Sequence, residues 1–220
     1  MYRCCIFDLD GTLLDTLTSL QNSVNATLAH YGLGPVDAAH MKRFVGDGYQ
    51  KLVERALIYC GDRELVHYED ALKVYMAEFA VHSMDEVKPY AGICEMLAYL
   101  KSTDVKIAVL SNKPHEKTIY NLVEVFGEHY FDYAAGEREG IMRKPDPAGV
   151  YMIMEELGVK ASECLYVGDT STDMETGIAA GIDTVGVLWG FRDEEELGSY
   201  HPRYLVRKPQ EIMTIAEGSK

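Results

Sequence analysis

A chain of 220 residues, 47% apolar and with only seven prolines, has the composition of a globular protein and the length for one large domain or a core with an inserted unit. Its 35 acidic against 21 basic side chains give a formal net charge of −14, which excludes the basic footprint that nucleic-acid binding needs. No stretch approaches 18 uncharged apolar residues, so no membrane span is expected.

The amino-terminal residues lack a basic segment followed by an apolar one. The five cysteines include neither a CxxC pair nor a Cys/His cluster with zinc spacing. Reduced thiols in a cytoplasmic protein are therefore expected. So acidic a chain, if it handles an anionic substrate, needs local cations: a metal and one or two lysines.

The first element is an apolar run with strand character, Cys4-Cys5-Ile6-Phe7-Asp8-Leu9-Asp10, which stops at Gly11. On an extended chain residues i and i+2 share a side, so Asp8 and Asp10 are expected to be neighbours. Two crowded acids are costly unless a cation or a shared proton relieves them, which makes this strand tip a candidate Mg2+ site. A solvated Asp-Gly turn is the plainer alternative.

Residues 15–31 read as an amphipathic helix, with Leu17, Leu20, Val24, Leu28 and Tyr31 at three- and four-residue steps and Gly32 as its stop. A short stretch at 41–45 runs into Gly46-Asp47-Gly48, and helical spacing returns at 49–59 and 64–81. No strand pattern interrupts this region, so residues 15–85 are expected to form a helical unit inserted into a core made of 1–14 and 86–220. Beyond Pro89 helices and strands alternate. Helices are expected at 93–100, 114–126, 147–157 and 171–180, and strands at 105–110, 131–134, 164–167, 184–188 and, as a last edge, 204–206. Asp146-Pro147 resembles a cap followed by proline at the first helical position.

Such alternation implies an α/β fold: a Rossmann-like parallel sheet between two layers of helices, with ligands beyond the carboxyl ends of its strands. Three of those ends carry useful chemistry: Asp8 and Asp10, Ser111 and Asn112, and Asp169 with Asp173 four residues on. Lys144, flanked by Arg143 and Pro145, lies in a loop stiffened by two prolines. The carboxylates form a hard oxygen donor set that suits Mg2+ and not zinc. Ser111 and Asn112 are expected where a helix begins, a position that binds anions readily, although it also suits a plain cap. Asp169 likewise reads as a ligand or as the cap of its helix.

In this order the elements resemble the haloacid dehalogenase superfamily of phosphotransferases. Asp8-Leu9-Asp10-Gly11-Thr12-Leu13 is similar to its first motif, and Ser111, Lys144 and Gly168-Asp169…Asp173 to the other three. The helical insert resembles a C1-type cap. Phe44-Val45-Gly46-Asp47-Gly48, Lys144-Pro145-Asp146-Pro147 and Val187-Leu188-Trp189-Gly190 resemble the phosphoglycolate phosphatase branch. The resemblance implies that Asp8 is a nucleophile forming an aspartyl-phosphate, and that Asp10 is the general acid and base. It implies Mg2+ held by Asp8, Asp10 (through its main-chain carbonyl) and Asp169, with Asp173 in support. Ser111, Asn112 and Lys144 would bind phosphoryl oxygens, and Thr12 would help position them. Such metal and lysine charge is what phosphoryl transfer needs.

The implied activity is hydrolysis of a small phosphorylated metabolite, first of all 2-phosphoglycolate, by a monomer or weak homodimer. The N–H groups of Gly46-Asp47-Gly48 would meet a small carboxylate, or else form a plain interhelical turn. Arg43 is a weaker candidate. A pyrophosphatase or a broad sugar- or nucleotide-phosphate phosphatase is the main alternative. A dehalogenase is disfavoured by Asp10, and a hexose-phosphate mutase by the absence of histidine from 16–29. A phosphonate-cleaving relative would need a cap lysine such as Lys42 or Lys51. A non-catalytic metal-binding relative would be expected to lack Asp8 or Asp10, and both are present.

Overall fold

The computed structural model describes residues 1–218. In chain order its elements are β1 (Cys4–Phe7), β2 (Leu14–Asp15), α1 (Leu17–His30), α2 (Ala38–Phe44), α3 (Tyr49–Tyr59), α4 (Tyr68–His82), β3 (Lys88–Pro89), α5 (Ile93–Ser102), β4 (Lys106–Pro114) and α6 (His115–Phe126). There follow β5 (Tyr133–Glu137), α7 (Ala148–Leu157), β6 (Cys164–Gly168), α8 (Ser171–Ala180), β7 (Asp183–Val187), α9 (Glu194–Gly198), β8 (Tyr204–Val206) and α10 (Pro209–Ala216). The chain divides into two compact units, Asp15–Lys88 and the remainder, Met1–Leu14 with the chain from Pro89 onward. No helix among the described residues is long and apolar enough to cross a membrane.

The larger unit is built on a six-stranded sheet in the order β5-β4-β1-β6-β7-β8, with every neighbouring pair parallel. All four residues of β1 are fully buried, as a strand covered on both faces should be. One face carries Cys4, Ile6, Ala108, Leu110, Cys164 and Tyr166 in a single apolar cluster with Val150 and Ile153 of α7. From β1 the sheet grows outward to β4 and β5 on one side and to β6, β7 and β8 on the other. The direction of winding therefore reverses at β1, and the carboxyl ends of β4, β1 and β6 lie side by side at the switch point.

The helical unit holds α1 to α4. Leu28, Met41, Leu57, Tyr75 and Phe79 are buried in it, and the Tyr75 ring stacks on Phe79 and on Tyr49 at centroid distances of 5.6 and 6.0 Å. Side-chain acceptors close its helix ends: Asp37 takes the N–H groups of Ala39 and His40, and Asp62 those of Val66 and His67. The Asp37 cap explains why a full helix, α2, forms where only a short stretch at 41–45 was expected.

Several elements of the larger unit differ from expectation, some of them for a traceable local reason. β4 does not end at Leu110. It continues to Pro114, with a register shift between Leu110 and Pro114 against β5, so Ser111 and Asn112 lie within a strand and not at a helix start. β5 begins at Tyr133 because the two residues before it are otherwise engaged. Phe131 packs edge-on against Phe126, and Asp132 accepts the N–H of Ile107 and the ammonium of Lys106. The start of α7 shifts by one residue: Pro147 is its cap residue and not its first, and Asp146 ahead of it accepts the Ala148 N–H at 2.9 Å. α9 and α10 were not expected. Asp193 caps α9 through the Glu196 N–H, and Glu211 accepts the N–H groups of Arg207 and Lys208 ahead of α10.

Ile6, fully buried at the centre of the sheet, tests this packing. Ile6→Ala is expected to lower the unfolding free energy by about 2–5 kcal/mol, read as a lower urea midpoint at unchanged slope. A loss below about 1 kcal/mol would contradict its central place.

Candidate active site

Pairing with β6 continues one residue past β1, where the Asp8 N–H bonds to the Val167 carbonyl at 2.9 Å. This fixes the main chain from which the Asp8 carboxylate projects, only 7% exposed. The Lys144 ammonium donates to Asp8 Oδ1 at 2.8 Å and to Asp173 Oδ1 at 2.7 Å, with its own side chain 3% exposed. Lys144 is in turn held by its main chain. Asn112 Oδ1 accepts its N–H at 2.9 Å and Asn112 Nδ2 donates to its carbonyl at 3.1 Å. Both amide atoms of Asn112 thus bond to the loop that carries the lysine.

Asp173 and Asp169 are held from the other side. Asp173 Oδ2 accepts the N–H and the hydroxyl of Thr170 at 3.0 and 2.7 Å, a capping arrangement at the start of α8. Thr170, not Asp169, is therefore the cap residue, and Asp169 is released for another purpose. Its Oδ1 accepts the Thr12 hydroxyl at 2.9 Å and its Oδ2 the Phe191 N–H at 2.8 Å. The Trp189 indole N–H bonds to the Thr12 carbonyl at 3.0 Å. Between these two anchors, a Cβ on Gly190 would stand 2.4 Å from both Asp169 Cβ and the Gly11 carbonyl oxygen, so the loop closes on Asp169 only with glycine there.

Asp8, Asp169 and Asp173 bring carboxylate oxygens within 4.8 Å of one another. Asp10 stands outside this group, its Oδ1 bonded at 2.8 Å to the ammonium of Lys113. Ser111, 4% exposed, accepts the Lys113 N–H on its hydroxyl at 3.2 Å. Burial and charge explain the electrostatics. Burial pushes the Asp8 carboxyl up to about 7 against the pull of Lys144. Burial, then the charges of Asp173 and Asp8, raise Asp169 well above the usual carboxylate range. Burial alone would lower Lys144, but Asp173 and Asp8 outweigh it and hold the ammonium firmly charged. Three carboxylates against one ammonium leave two formal negative charges in a buried, all-oxygen pocket. That donor set and that charge fit a divalent cation.

Gly46, Asp47 and Gly48 lie in the helical unit, between α2 and α3. Arg55 of α3 holds this turn, donating to the Phe44 carbonyl at 2.8 Å and to the Asp47 carboxylate. Gly46 and Gly48 have left-handed φ values of 128° and 84°. Three participants in the larger unit's site escaped the reading of residue types: Lys113, Thr170 and the N–H of Phe191. Lys113 left a trace, as a cation directly after Ser111 and Asn112 and just before a proline.

A doubly wound parallel sheet with clustered carboxylates and a buried lysine beyond its central strands defines a Rossmann-like fold with a cation-compatible acid site. The chain belongs to the haloacid dehalogenase-like hydrolase family, whose model matches residues 5–187. It is 35% identical over 201 residues to a phosphoglycolate phosphatase of Rhodospirillum rubrum, covering 88% of this chain and 83% of that protein. It is 31% identical over 217 residues to a phosphoglycolate phosphatase of Aquifex aeolicus, covering 98% and 97%. A crystal structure of a candidate phosphoglycolate phosphatase from Lactobacillus delbrueckii subsp. bulgaricus superposes with a TM-score of 0.91 at 30% identity, covering 98% of each chain.

The raised Asp8 carboxyl makes stability depend on pH. Such a group binds its proton more tightly when folded, so its contribution is full below the unfolded value of 3.8 and is lost as pH climbs through about 7. In chelator-treated protein, the stability of the wild type relative to Asp8→Asn is expected to fall as pH rises across that window. A difference in melting temperature that stays flat or rises with pH would contradict it.

Proposed function

We propose that this chain is a Mg2+-dependent phosphatase that hydrolyses a small phosphorylated metabolite, 2-phosphoglycolate before others, through a phosphorylated Asp8. The observation that carries the reading is the buried group of Asp8, Asp169 and Asp173 with Lys144 bonded to two of its members. The names of the relatives support the phosphatase activity and the substrate.

Asp8, Asp169 and Asp173, with the Asp10 main-chain carbonyl, would hold Mg2+. When bound, it supplies positive charge opposite the transferring phosphoryl group. The Lys144 ammonium, already charged, adds to that charge and binds the phosphoryl oxygens with Ser111. An Asp8 carboxylate oxygen attacks phosphorus and the bond to the leaving oxygen breaks, with Asp10 giving its proton to that oxygen. Water then attacks the phosphorus, its proton passes to Asp10, and the bond to Asp8 breaks to release phosphate and restore the carboxylate. Thr12 and the Phe191 N–H keep Asp169 fixed throughout, and Asn112 keeps the lysine loop fixed. The burial of Asp8 serves the first step, because a desolvated carboxylate has less hydration to lose on attack.

The helical unit acts in this reading as the cap that selects the substrate, with the N–H groups of residues 46–48 reading its carboxylate. Arg55 serves there by neutralising Asp47, which would otherwise repel an anion.

A phosphate-release screen over phosphoglycolate, pyrophosphate, hexose phosphates and nucleotides tests the proposal. Phosphoglycolate is expected to give the highest kcat/KM, with activity lost on chelation and restored by Mg2+. Asp8→Asn is expected to lower kcat at least about 10³-fold; full turnover by that variant would refute the mechanism. Gly46→Val, which places a branched side chain at a φ of 128°, is expected to raise KM for phosphoglycolate several-fold and, through that backbone strain, to lower the melting temperature as well. Unchanged kinetics would remove the turn from substrate recognition.

A further inference from the structure

The buried charges of the site fall into two groups, and the smaller one includes a lysine that the mechanism above leaves unused. Lys144 serves the three-carboxylate cluster. Lys113 bonds instead to Asp10, its ammonium 2.8 Å from Oδ1 and its side chain 3% exposed. An ammonium so buried is costly to desolvate, so its partner dictates where it sits. We propose that Lys113 is a positioning residue for Asp10: it holds this carboxylate out of the three-carboxylate cluster and keeps it directed for proton exchange with the leaving group and the attacking water. The inference rests on the reading of Asp10 as general acid and base.

The mount of this lysine is rigid, as a director of geometry must be. The Ser111 hydroxyl accepts its N–H at 3.2 Å and the Thr118 hydroxyl donates to its carbonyl at 3.2 Å. Gly136 closes the third side: a Cβ there would stand 2.5 Å from the Lys113 carbonyl oxygen and 2.4 Å from Thr118 Oγ1. The strand β4 continues through this residue to Pro114, so the ammonium projects from sheet and not from loop. A lysine needed only to offset charge requires no such anchoring. With Oδ1 bonded to the ammonium, proton exchange falls to Oδ2. Without Lys113, the Asp10 carboxylate would lose the bond that fixes its direction.

Leaving groups provide the test, because p-nitrophenol departs without a proton and an alkoxide does not. With Mg2+ present, two quantities are measured: the first-turnover burst of p-nitrophenolate, and the turnover of 2-phosphoglycolate or another alkyl phosphate. Lys113→Met is expected to keep the burst rate within about threefold while lowering alkyl phosphate turnover about 10²-fold, in line with Asp10→Asn. The double variant Lys113→Met/Asp10→Asn removes both charges of the buried pair, which favours folding, and is expected to be no slower than Asp10→Asn alone. Lys113→Arg, which keeps the charge, is expected to recover part of the alkyl phosphate rate, and it carries the test if Lys113→Met does not fold. A burst that falls together with alkyl turnover overturns the inference. So does wild-type alkyl turnover in Lys113→Met, or a double variant slowed by the product of the single effects. If Asp10→Asn itself leaves alkyl turnover unchanged, the acid–base reading of Asp10 fails first. If Asp10→Asn slows the enzyme and Lys113→Met does not, only the role of Lys113 fails.

Discussion

One ammonium shared between carboxylates from opposite ends of the chain is the contact on which the site depends. Lys144 bonds to Asp8 and to Asp173, and these two stand with Asp169 inside a 4.8 Å group. At that separation each pair of unit charges repels by about 3 kcal/mol even at an effective dielectric of about 20. Three such pairs amount to roughly 10 kcal/mol, the size of a whole domain's net stability. The cluster is tolerable only if protons or cations relieve it. Lys144 supplies one positive charge and two formal negative charges are left over. Protonation answers part of the excess, as the raised Asp8 and Asp169 carboxyls show. A divalent cation answers all of it.

The sheet makes this concentration of charge possible. Winding outward in both directions from β1 puts the ends of β4, β1 and β6 together, and each delivers a polar group where its apolar run stops. Backbone and hydroxyl donors then hold carboxylate oxygens that the lysines leave to them. Asp169 is fixed by Thr12 and the Phe191 N–H, and Asp173 by Thr170. The two lysines divide the four acids: Lys144 bonds within the cation cluster, and Lys113 bonds to Asp10 outside it. In the proposed mechanism, charge neutralisation and proton transfer would thereby fall to different side chains.

Much of this was legible in the amino acids because it is written in side-chain type. Asp8, Asp10 and Asp169 are acids placed where apolar runs stop, Asp173 follows four residues after the last of them, and Lys144 stands out as a cation beside a proline-stiffened turn. The parallel sheet followed from strands alternating with helices, and the helical unit from the absence of any strand pattern between the first strand and Pro89. What was not legible depends on main-chain groups or on register. The N–H of Phe191 on Asp169 could come from any residue but proline, so nothing in residue type announces it. The continuation of β4 through Ser111, Asn112 and Lys113 was hidden because polar residues read as the end of a strand. Here they are accommodated by their own bonds to Lys113 and Lys144. The exchange of cap roles between Asp169 and Thr170 turns on a single residue of helix phase, finer than periodicity resolves.

The central claim is that Asp8 becomes covalently phosphorylated during turnover. Its most direct measurement is borohydride reduction of enzyme quenched in the steady state with Mg2+ and phosphoglycolate, followed by peptide mass spectrometry. An acyl phosphate is reduced to an alcohol, so homoserine at position 8, and at no other aspartate, is the predicted result. Homoserine at Asp10, Asp169 or Asp173, or steady phosphate release with position 8 unmodified, would contradict the account.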